Sequence, residues 1–144
     1  MFSGGLWPSF AWSAGVLLAT FALHAVFISL GAAAVRSAVK GVGPFRFFRE
    51  TAIFFLLAVL LSTAHAFEIA LWGWVFEFLG GFAHFEEALY FAAITYTTLG
   101  YGDVLAPQEW GLLAGAAAAD GLLLFGFSAA FMLDAYIRLR VLRW

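Results

Sequence analysis

The stretch Thr95-Tyr96-Thr97-Thr98-Leu99-Gly100-Tyr101-Gly102-Asp103 decides how the rest of the chain is read. Gly100 and Gly102 stand two residues apart, and both can take backbone angles that a residue with a Cβ resists. A backbone that alternates hand along such a string turns successive carbonyl oxygens to one side. Just upstream, Phe85 to Thr97 reads as a short helix. At about 1.5 Å per residue it reaches only about 20 Å. That is too short to cross a bilayer and suits a helix that enters and returns. Gly80-Gly81 permits the turn into it, and Ala106-Pro107 marks the exit.

The surroundings of this string are those of a membrane protein. The 144 residues are 65% hydrophobic and 11% charged, with a mean hydropathy of +0.97, whereas a soluble domain carries about 25% charge. Such a chain cannot cover its surface with polar groups, so lipid is its solvent. The absence of cysteine excludes disulfides and thiolate metal sites. Three segments are long and apolar enough to span: about Ala11 to Val35, Thr51 to Phe78, and Trp110 to Tyr136. There is no internal repeat and no low-complexity linker. Met1 to Pro8 has no basic segment, so a cleaved signal is not expected.

The distribution of charge sets an expected orientation. All 7 basic residues fall in two places: Arg36, Lys40, Arg46 and Arg49 between the first two spans, and Arg138, Arg140 and Arg143 after the third. The positive-inside rule puts both in the cytoplasm, with the N-terminus and the short helix outside. The outer segments carry Glu77, Glu86, Glu87, Asp103 and Glu109 instead. Glu86 and Glu87 fall where a helix N-terminus welcomes carboxylates. Trp7, Trp12, Trp72, Trp74 and Trp110 gather toward the outer boundary, as an interfacial belt would.

The string, the short helix before it and the flanking spans resemble the pore of tetrameric potassium channels, whose signature is T-x-x-T-x-G-Y-G-D. The resemblance covers about Thr51 to Tyr136 and fills each fixed position of the pattern. It implies an all-α membrane protein: three transmembrane helices per subunit plus a re-entrant pore helix and filter loop, assembled as a homotetramer. One re-entrant loop cannot enclose a pore alone. On this reading 1–50 holds an additional N-terminal span and cytoplasmic loop, and 51–144 the pore domain. Potassium would be bound by Thr98, Leu99, Gly100 and Tyr101, with Gly102 completing the filter and the Thr98 hydroxyl closing its inner end. Leu99 replaces the valine common in the family. Tyr101 is expected to brace the pore by packing on aromatics such as Tyr90 and Phe91; Tyr90, Thr95 and Asp103 are support residues. The glutamate that some members place four residues before the filter threonine is Ile94 here, leaving Tyr90 as partner for Asp103. Thr97 is expected merely to bond the preceding helical turn. Gly121 and Gly126 are gating candidates, as hinges or as close-packing positions. The first span lacks the arginines of a voltage sensor.

One polar set has no place in that scheme. His24, His65, Glu68 and Asp120 all fall near mid-membrane, where ionisable groups are costly. His65 and Glu68 share a helix face, and Asp120 comes from the inner helix. They read as a buried network, as a protonation switch that makes His65, Glu68 and Asp120 gating candidates, or as a metal site, for which no H-E-x-x-H spacing is present. The expected function is passive potassium conduction across a plasma membrane, that of a bacterial inner membrane, with no enzymatic activity and no cofactor beyond the permeant ion. The expected partners are potassium, membrane lipid and further copies of the chain, with no nucleic acid. The alternatives are a non-selective cation channel, an intramembrane metal protein or enzyme using His24, His65, Glu68 and Asp120, and a non-conducting accessory subunit.

Overall fold

A computed structural model describes residues 6–40 and 46–141, so Arg143 of the basic set lies outside the described residues. The regular elements among the described residues are helices: α1 over Leu6–Lys40, α2 over Arg46–Phe78, α3 over Phe85–Tyr96, and α4 over Gly111–Tyr136. A single 3₁₀ turn, Gln108–Trp110, leads into α4, and a π turn, Ile137–Val141, follows it. Lipid solvates no free backbone groups, and helices satisfy theirs internally. Three segments are long and apolar enough to cross a membrane: Leu6–Ala38, Phe47–Phe78 and Gln108–Arg140.

These helices run past the sequence estimates at most ends. Counting apolar residues stops at the first polar cluster, while helical backbone continues into the headgroup region. At about 1.5 Å per residue, some 33 residues make about 50 Å, against about 30 Å of hydrocarbon. Tilt and projecting ends absorb the excess. The short helix keeps close to its expected bounds, ending at Tyr96. Its first turn carries Glu86 and Glu87, opposite the positive end of the helix dipole. Gly80, with φ +77, makes the turn before it.

α1 lies along α2 and α4, and α3 is held between α2 and α4. Span one therefore packs on the other two spans, a placement the sequence left open. Two cores result. The larger gathers Trp72, Phe76, Phe91, Tyr96, Trp110 and Leu113 around α3. There Phe76 meets Phe91 edge-on, with centroids 5.0 Å apart at 89°. The smaller joins Val35, Leu57, Ala135 and Leu139 at the other end of the bundle. The expected tryptophan belt needs correction. Trp7 and Trp74 are exposed, but Trp72 and Trp110 are fully buried. Trp72 has a buried acceptor for its indole N–H, Asp120 at 2.8 Å, which lets an amphipathic ring serve in the core.

Gly121 shows why α4 can approach α3 so closely. A Cβ at this position would collide with the Tyr96 carbonyl oxygen and lie 2.8 Å from its carbonyl carbon. The helix runs unbroken through Gly121 and Gly126, and Gly121 is a close-packing position. Gly126 faces open space.

Gly121→Ala therefore forces α3 and α4 apart. It is expected to destabilise the fold by about 1–3 kcal/mol, the usual range for overpacking. Gly115→Ala, where an added methyl meets nothing within 4 Å, is the control. Thermal unfolding in detergent, followed by tryptophan fluorescence, should separate the two; equal midpoints would refute the packing role.

Candidate functional site

The string that follows α3 is tied back onto the end of the helix. The Thr97 N–H donates to the Ala93 carbonyl at 3.1 Å, Thr98 N–H to Thr95 at 2.9 Å, and Gly100 N–H to Ile94 at 2.9 Å. These bonds satisfy carbonyls that a helix end would otherwise leave open. The Thr97 hydroxyl donates to the Ala93 carbonyl at 2.7 Å, which is the local role expected of it. Beyond this point the backbone takes left-handed angles at alternate residues: φ is +58 at Thr98, +53 at Gly100 and +77 at Gly102. The glycines do so freely. Thr98 is the non-glycine residue with positive φ among the described residues, and a β-branched side chain there stores strain of order 1–3 kcal/mol.

Leu99 and Tyr101 project from the single chain, Tyr101 being 69% exposed. Among the described residues Tyr101 makes no ring contact with Tyr90 or Phe91, whose partners are Asp103 for the one and Phe76 and Phe82 for the other. The packing expected of Tyr101 on these two rings is not made within the single chain. Behind the loop lies an apolar groove lined by Phe91, Ile94, Thr95, Gly100, Gly102 and Leu105, which is where the structure places Thr95. At the outer end Tyr90 donates its hydroxyl to Asp103 at 2.7 Å, the pairing expected once Ile94 replaces the usual glutamate. That bond holds the Asp103 carboxyl below its ordinary value and raises the Tyr90 hydroxyl.

The second constellation is buried between the helices. Glu68 on α2 is fully enclosed, His24 on α1 is 1% exposed, and His65 is 7% exposed. His24 Nδ1 lies 2.8 Å from Glu68 Oε1. His65 Nδ1 lies 3.0 Å from Glu68 Oε2 and 3.0 Å from the Tyr96 hydroxyl. Tyr96 donates to Glu68 Oε2 at 2.5 Å. On their far sides both imidazoles meet one hydroxyl: Ser128 Oγ is 3.0 Å from His65 Nε2 and 3.3 Å from His24 Nε2. The His65 ring also stacks on Phe125, with centroids 4.1 Å apart.

Of the four residues expected here, the structure brings three together. His24, His65 and Glu68 offer ligand atoms that all lie within 4.8 Å of one another. This corrects the expectation that the chain has no cofactor: a buried trio with geometry suited to metal coordination is present. Motif spacing hid it because its donors come from two helices 41 and 44 residues apart in sequence (His24 to His65 and His24 to Glu68). Asp120 stands apart, bound to Trp72, with its Oδ1 buried and without a hydrogen-bond partner. Two members were not anticipated. Tyr96 occupies a variable position of the string, and Ser128 is the one serine of α4; an isolated hydroxyl in an apolar helix was the available signal. Asp134 and Arg138 form an exposed pair, at 2.6 Å.

A family model described as an ion channel matches residues 51–138, well over half of the chain. No curated protein and no solved structure gives a match. The matched segment includes α3, the glycine string, His65, Glu68 and Ser128, while His24 lies before it.

The Tyr90–Asp103 bond favours the ionised carboxyl. Its contribution is full above the ordinary aspartate value of about 3.9 and is lost as pH falls through the lowered folded value. Tyr90→Phe should therefore move the Asp103 titration upward, toward about 3.9, as read by carboxyl-carbon NMR. An unmoved titration would show that Tyr90 does not hold the carboxylate.

Proposed function

The chain belongs to the ion channel family, and from that premise we propose that it is a passive potassium-selective channel. Four copies would place their Thr98-to-Gly102 strings around a common axis in a plasma membrane, that of a bacterium. The observation that carries this reading is the left-handed backbone at Thr98, Gly100 and Gly102. An alternating hand is what a string needs to present successive carbonyl oxygens as ligands, with each ring of four standing in for the ion's water. The bonds from Thr98 and Gly100 back to α3 hold this string at the mouth of the short helix. The exposed Tyr101 and the open groove behind the loop support assembly. A neighbouring copy supplies the aromatic side chain that one chain leaves unpacked and the groove that can receive it. By the positive-inside rule the basic residues support a start of α1 outside and an end of α4 in the cytoplasm. Asp103 and its Tyr90 bond then lie at the outer entrance.

A second reading has one observation behind it. The His24–His65–Glu68 cluster suits a membrane protein whose task is to bind a metal, without conduction. Ion flux from liposomes containing only the purified chain separates the two.

Gly100→Ala tests the channel reading. An added methyl meets nothing within 4 Å, so crowding is not the issue; φ +53 is. The string must strain by about 1–3 kcal/mol or abandon its angle. Potassium preference over sodium should fall at least about tenfold, the effect of roughly 1.4 kcal/mol, seen as a shift of reversal potential in mixed ions. A wild-type reversal potential in this variant would overturn the filter assignment. Absence of flux from the unaltered chain, with metal bound, would favour the second reading.

A further inference from the structure

We propose that His24, His65 and Glu68 form a binding site for a divalent transition cation of the zinc class, joining α1 to the pore unit. The proposal is independent of what the glycine string conducts.

The argument begins with protons. With Glu68 ionised and both imidazoles neutral, each ring has one N–H, and Ser128 and Tyr96 have one hydroxyl proton each. Tyr96 spends its proton on Glu68. If both histidines turn their N–H toward Glu68, both Nε2 atoms become acceptors. They then face the single proton of Ser128, and one of these contacts has no proton to share. If either ring is reversed, a bare Nδ1 faces the carboxylate. The closed ring of contacts is one positive charge short in every neutral tautomer.

A metal ion removes the conflict. Placed between Glu68 and the two Nδ1 atoms, it takes their lone pairs and leaves the proton of each ring on Nε2. A serine oxygen has two lone pairs and accepts from both. Ser128 then becomes the outer partner that fixes both ligand rings, the arrangement usual for metal-bound histidine. Distances agree. Ligand atoms around a tetrahedral zinc with bonds near 2.0–2.1 Å stand roughly 3.3 Å apart. The contacts here are 2.8 and 3.0 Å, and the donors span no more than 4.8 Å. The Tyr96 hydroxyl, within 3.0 Å of His65 Nδ1 and 2.5 Å of Glu68 Oε2, stands beside the remaining position.

The donor set also selects the ion. Two imidazoles and one carboxylate suit zinc and its neighbours. Magnesium and calcium demand oxygen ligands. A lone proton, forming an imidazolium, would also close the contact ring, but it would neutralise Glu68 alone. Asp120, held by Trp72 one turn along α2 from Glu68, is a second buried carboxyl. A dication brings the second positive charge that a lone proton lacks.

The test uses the full chain, purified in detergent from zinc-supplemented cells and assayed for metal, then stripped with chelator and titrated with Zn²⁺ or Co²⁺. One zinc per chain is expected, with Mg²⁺ failing to compete. Co²⁺ should show the intense visible ligand-field bands of a tetrahedral nitrogen–oxygen site. His24→Gln and His65→Gln should each weaken zinc binding by at least about a hundredfold, and Ser128→Ala by about ten- to a hundredfold as an outer partner. Substoichiometric zinc together with absent cobalt bands would overturn the proposal, whether or not the contacts then titrate as an imidazolium. So would unchanged zinc affinity in both histidine variants. Should those variants fail to fold, the cobalt spectrum of the unaltered chain decides alone. Failure here leaves liposome flux untouched, so the two readings fall separately.

Discussion

The bonds converging on the Glu68 carboxylate hold this small bundle in register. A carboxylate enclosed among helices in lipid is tolerable only if its oxygens are well supplied with donors. Here its partners are His24 from α1, His65 from the same helix one turn away, and the hydroxyl of Tyr96 from the end of α3. Ser128 of α4 closes the ring on the far side. Apolar side chains give helices in lipid little reason to choose one neighbour or one rotation over another. A polar node with partners on four helices supplies that choice. Shifting one helix by a residue would leave at least one buried donor or acceptor open, at a cost of about 1–3 kcal/mol for each group.

The same node explains why the strained string can persist. Thr98 has a left-handed backbone that its β-branched side chain resists, so the surrounding structure must over-determine it. On one side the string is bonded back to Ile94 and Thr95 of α3. On the other, α3 itself is fixed. The Tyr96 hydroxyl is bound to Glu68, and its carbonyl packs against Gly121, where no side chain could fit. The helix end cannot slide to relieve Thr98 without breaking one of these contacts.

Much of this was legible in the sequence, for identifiable reasons. Helix existence and the short length of α3 follow from apolar run lengths, which the bilayer makes unusually strict. The Tyr90–Asp103 bond was readable because Ile94 removed the competing partner. What escaped reading were features that depend on rotation about helix axes. Nothing in the apolar pattern says that His24 faces α2, since α1 is hydrophobic all round. The tryptophans illustrate the same limit. Composition places Trp72 at a boundary, but its partner Asp120 lies 48 residues away on another helix. Tyr101 is a third case: the residue is 69% exposed, so the packing expected of it is not set by contacts within the chain.

Family membership covers α2, α3 and α4, yet the polar node is completed by a residue outside that segment. Without His24, the Glu68 Oε1 atom would lose its imidazole partner and Ser128 one of its two imidazoles. The matched segment therefore carries a half-satisfied buried site whose missing partner is delivered by the additional helix. Partly satisfied buried networks are the costly kind, so α1 is more than a peripheral span. Its docking completes the environment of Tyr96, and Tyr96 lies two residues before the strained Thr98. The additional helix and the glycine string thus meet in one set of contacts, from His24 through Glu68 to Tyr96, two residues before Thr98.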